Sequence, residues 1–117
     1  MTLGIVAMSL RSPDYGYDFL RGSNRLDTRS SKLKPNQVIR LDRFCLHKPY
    51  DEAWGAMQNE LCAEKGWHLG SNTSGFQTFV LDNRTTISLC RGQMDSSCNF
   101  VDGTDKTDSF VVIEHKE

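Results

Sequence analysis

The chain has 117 residues, 38% of them hydrophobic and 25% charged, with a formal net charge of −1, which is the length and balance of one ordinary globular domain. That balance excludes a compositionally disordered polymer, and an isoelectric point near 6.3 is far from that of a dedicated basic nucleic-acid module. A chain of this size buries roughly two-thirds of its unfolded surface, enough for a core without metal or disulfide staples.

The first apolar run, Leu3 to Leu10, is too short for the ~20 residues that span a bilayer. No basic residue precedes it and Arg11, Ser12 and Pro13 follow it without a small-x-small cleavage pattern, so it reads as a buried first strand and not as a signal peptide. A soluble, cytoplasmic protein without a membrane partner is expected. From 12 to 37 the pattern breaks at Gly16, Gly22, Ser23, Asn24, Ser30 and Ser31, and this stretch reads as an irregular basic arm or long loop. Arg21, Arg25, Arg29 and Lys32 lie four, four and three residues apart, so they would share one face if the arm became helical on a partner. Tyr15, Tyr17 and Phe19 supply aromatic rings beside them.

Val38 to Leu46 is rich in β-branched and large apolar residues and reads as a strand, with Ile39, Leu41 and Cys45 on one face. Pro49, Asp51 and Glu52 then start a helix over about 49–65. Tyr50, Ala53, Trp54, Met57 and Leu61 form its core stripe, Gln58, Asn59 and Glu60 fall opposite, and Lys65 with Gly66 ends it. Phe76 to Leu81, a turn at Asp82-Asn83-Arg84, and Thr85 to Leu89 or Cys90 form a hairpin; Asn99 to Val101 and Ser109 to His115 suggest a second one. The fold class that follows is α+β: a mainly antiparallel or mixed sheet of about five to six strands with one amphipathic helix on one face. One domain spans 1–117, with 38–117 as the helix-on-sheet core.

Four cysteines permit three pairings, and a chain without an export signal is expected to keep its thiols reduced. The strongest disulfide candidate is Cys90 with Cys98, across a short potential hairpin. Cys45 and His47 sit two residues apart, about 6.5 Å along an extended strand, too far for direct proton transfer. His47 and His68 bracket a helix about 25 Å long and should not share a metal. Asp102, Asp105 and Asp108 lack the spacing and terminal glutamate of an EF-hand. With no CxxC, HExxH, P-loop, Rossmann or GxSxG spacing, no catalytic, cofactor or metal residue is assigned, and a non-enzyme is expected.

Charge is uneven: 11–48 carries +5 and 49–117 carries −6. The arm either folds back on the acidic half, binds nucleic acid, or docks on another protein. The expected function is a small binding protein of inhibitor, immunity, adaptor or regulatory type, acting by stoichiometric contact with another protein. Nucleic-acid binding through 11–48 is the alternative, and a small hydrolase with His68 as first suspect is the third. Tyr15, Tyr17, Arg21, Arg25, Arg29 and Lys32 are the candidate partner-binding residues.

Overall fold

The computed structural model describes residues 15–34, 37–73, 75–102 and 107–116; the side chains of 29 and 31–38 lie outside that description, as does the apolar run Leu3 to Leu10. Six strands, β1 (Asn24–Lys34), β2 (Gln37–Pro49), β3 (His68–Thr73), β4 (Phe76–Val80), β5 (Thr85–Gly92) and β6 (Asp108–Lys116), form one sheet in the order β1-β2-β6-β5-β4-β3. Every neighbouring pair is antiparallel. One helix, α1 (Tyr50–Met57), continues as a π-helical segment over Gln58–Glu64 and packs on one face, so the molecule is an α+β fold.

The register explains which residues face the helix. Opposite residues in an antiparallel ladder share a face, so Phe44, Val111, Leu89 and Gln77 form one row and Asp42, Ile113, Ile87 and Phe79 the next. Tyr50, Ala53, Met57 and Leu61 cover these rows, joined by Phe19 and Trp67. Each fully buried large apolar side chain contributes about 1.5 to 3 kcal/mol by leaving water.

Over its described residues the arm is largely regular structure. Asp18–Leu20 is a 3-10 turn and Asn24–Lys34 is an 11-residue edge strand hairpinned to β2. Its polar, glycine- and serine-broken sequence hides this because the strand packs only at its edge and carries a register shift between Arg25 and Asp27. β3 was equally invisible: HLGSNT has no alternation and is exposed throughout. The hairpin of β4 and β5 agrees with expectation, whereas Asn99 to Val101 does not pair with β6 and makes only a bridge from Phe100 to Met94.

The helix begins and ends where expected, with Pro49 as its N-cap and Gly66 at φ +78 after it. Its second half departs from a 3.6-residue period. The wider π winding turns Glu60 inward, not outward with Asn59, and its carboxylate accepts the N–H groups of Asp18 (2.8 Å) and Phe19 (2.9 Å) and a bond from Lys65 (3.0 Å). Burial pushes this carboxyl up, but those donors outweigh it and hold it below its ordinary value. Trp54, expected in the core stripe, is only half-buried and points Nε1 at Gln77.

Asp42 is the other buried carboxylate among the described residues. It accepts bonds from the Tyr15 hydroxyl, Thr28 Oγ1 (2.6 Å) and Arg40 Nε (3.2 Å). Burial raises its pKa, yet the three donors prevail and lower it overall.

Candidate functional site

The face of the sheet away from α1 carries Cys45, Phe110, Cys90 and Phe76 in one row and Arg43, Val112, Ser88 and Thr78 in the next. Among the described residues, the 93–102 loop between β5 and β6 covers one end of it. Two carboxylates shape that loop. Asp95 accepts the N–H groups of Ser97 and Asn99, and Asp108 accepts the N–H of Met94. Asp108 is thus engaged with the protein's own backbone, and Asp105, its partner in the acidic spacing, lies outside the described residues.

Cys98, buried in this loop, is disulfide-bonded to Cys45 of β2, with their Cα atoms 5.9 Å apart and a sequence separation of 53. The expected Cys90–Cys98 pair is therefore corrected, as is the expectation of four reduced thiols. The reason is topological: Cys90 and Cys45 flank Phe110 on opposite sides of β6, and the loop crosses β6 to reach β2 instead of doubling back beside β5. Closing a loop of this length restricts the unfolded chain by about 4 kcal/mol on the chain-entropy estimate. Cys62 and Cys90 remain free thiols; burial raises the pKa of both, which makes them poor nucleophiles.

His47 stands over the disulfide. Its Nε2 is 3.3 Å from Cys98 Sγ, and both ring nitrogens lie 4.0 Å from Cys45 Sγ. The expected separation of Cys45 from His47 fails because His47 has φ +57, which breaks the extended conformation and swings the imidazole back across the strand end. Cys98 is likewise left-handed, at φ +66, so two non-glycine residues of this kind meet at one point. Asn24 Oδ1, from β1, lies 2.5 Å from His47 Nε2. An amide oxygen only accepts, so Nε2–H is the donor of this bond. Cys45, His47, Met94 and Asp108 line a cleft that opens onto this cluster.

Beside the disulfide the loop presents Phe100. Its ring meets Phe110 edge-on at 5.2 Å, and Arg43 lies over it at 6.0 Å. Arg43 is itself fixed by a two-pronged bond to Asp27, at 2.8 and 3.0 Å.

The candidate residues of the arm are dispersed. Arg21 is exposed and pairs with Asp18 at 3.4 Å; Arg25 lies 4.8 Å over Phe44. By backbone register Arg25 meets Phe44, Arg29 meets Leu41 and Lys32 meets Val38, so the four-residue spacing gathers no helical face. Tyr15 and Tyr17 are half-buried in a stack that continues to Phe19, and Lys65 lies over Tyr17. Burial raises the pKa of both hydroxyls, Asp42 adding to the effect at Tyr15. His68 is exposed on β3. Sequence reasoning passed over Cys45, His47 and Cys98 because Cys98 lies 51 residues from His47 and only the loop crossing brings it back.

No protein-family model, curated protein or solved structure matches the chain. No helix among the described residues is long and apolar enough to cross a membrane.

Proposed function

We propose that the protein works by stoichiometric binding to another protein, through the face of its sheet away from α1, around Phe100 and Arg43. The observation that carries this reading is the state of Phe100, 50% exposed yet held between Phe110 and Arg43 on a loop anchored covalently to β2. Val101, 43% exposed, extends the apolar patch. Aromatic and arginine side chains dominate interface energetics, and rings that are already immobilised lose little entropy on docking. The nucleic-acid alternative draws less support, because Arg21, Arg40 and Arg43 are each paired with a carboxylate.

The test is affinity capture from the native cell with the wild-type chain and with Phe100→Ala and Arg43→Ala, bound proteins being identified by mass spectrometry. A discrete partner retained by the wild type should weaken by at least ~30-fold in Phe100→Ala, corresponding to about 2 kcal/mol, while the variant keeps its thermal midpoint. Equal capture by all three chains would refute the proposed surface. Recovery of nucleic acid with a steep salt dependence would replace a protein partner altogether.

A further inference from the structure

The cluster of Cys45, His47 and Cys98 has the composition of a metal centre as well as that of a covalent tie. Their ligand atoms all lie within 4.8 Å of one another. Zinc takes thiolate sulfur at about 2.3 Å and imidazole nitrogen at about 2.0 to 2.1 Å, so in a tetrahedron a sulfur and a nitrogen stand roughly 3.6 Å apart. Here His47 Nδ1 lies 4.0 Å from both sulfurs, a few tenths of an ångström beyond that value. We propose that in the reduced protein Cys45, His47 and Cys98 bind a zinc ion, and that the Cys45–Cys98 disulfide is the metal-free, oxidised form of the same site.

Three features support this. The two sulfurs need only part by rotation about their Cα–Cβ bonds, and the backbone already holds their Cα atoms 5.9 Å apart. Asn24 Oδ1 accepts Nε2–H and leaves Nδ1, 4.0 Å from both sulfurs, as the ligating nitrogen, which is the role a histidine's outer partner plays at metal centres. The cleft at Met94 and Asp108 opens onto the cluster, giving an ion a way in and a fourth position to water. The chemistry balances. Two molecules of a small thiol, RSH, convert the disulfide into two protein thiols and leave as RSSR, and the zinc ion then displaces the two thiol protons into solvent. The proposal does not depend on the Phe100 surface binding a partner.

The experiment uses the full chain, reduced with a non-coordinating phosphine, and Co2+ as a spectroscopic stand-in for zinc. Co2+ should produce the strong visible bands of a tetrahedral thiolate complex, and Zn2+ should bleach them. His47→Ala should weaken binding by roughly 100-fold and Asn24→Ala by roughly 10-fold, whereas the oxidised wild type should not bind. If reduction unfolds the chain, Zn2+ should refold it, as followed by circular dichroism. The proposal fails if reduced protein gives no such bands, if His47→Ala binds as tightly as wild type, if oxidised protein binds equally, or if unfolded reduced protein stays unfolded with Zn2+.

Discussion

The two faces of the sheet are closed by different means. Under the helix, large apolar side chains from β2, β4, β5 and β6 are fully excluded from water, and both carboxylates that enter, Asp42 and Glu60, are met by three donors each. On the other face a polar loop, Gln93 to Asp102, covers one end and is held by a disulfide. A face with enough hydrophobic partners closes by burial, whereas a loop rich in aspartate, serine and asparagine is held by a covalent tie.

Four measurements would sharpen or break that contrast. The largest effect is expected from Phe79→Ala, about 4 to 5 kcal/mol in a denaturant melt, because its ring sits fully buried between α1 and the sheet. A loss below about 1 kcal/mol would mean that the helix face is not the main core. Next, replacing both Cys45 and Cys98 by alanine should lower stability by about 3 to 4 kcal/mol, and amide exchange in 94–101 should rise before exchange in β4 and β5. Uniform loss of protection would show that the tie supports the whole sheet and not one face of it.

Third, Asp42→Asn should cost about 2 kcal/mol at pH 7, since the Tyr15, Thr28 and Arg40 donors would lose their charged acceptor. Asp42 and Glu60 have pKa values below their ordinary range in the folded state. Their contribution is therefore complete above the unfolded carboxylate value of about 4 and disappears as pH falls through the folded values. Denaturant midpoints measured from pH 7 to pH 2 should drop in the acid range, less steeply in Asp42→Asn. The smallest effect is expected from Phe100→Ala, within about 0.5 kcal/mol, because half of that ring already meets water. A cost of several kcal/mol would make the open face a second core.

Much of the helix face was legible in sequence because its signals are periodic: the α1 stripe at Ala53, Met57 and Leu61, and the alternation of Phe79, Ile87 and Leu89 across a turn. Glu60 was misread because the π winding departs from the period on which such readings rest. The open face was nearly illegible. β1 and β3 are edge strands whose polar sequences carry no alternation, and the cluster at His47 depends on two left-handed residues that are not glycine and on a loop crossing one strand to reach another. A long-range covalent pairing has no local sequence signature, so proximity in the chain favoured Cys90, the wrong partner.

The strand order also governs when the sheet can close. β6 lies between β2 and β5, although the chain makes it after both. Until residues 108–116 arrive, the inner edges of β2 and β5 are templates without their partner, and a hairpin (β1 and β2) and a meander (β3 to β5) stand apart. A nascent or truncated chain ending before Asp108 therefore presents two adhesive borders where the finished molecule has its centre, and the risk of self-association is concentrated in that interval of synthesis.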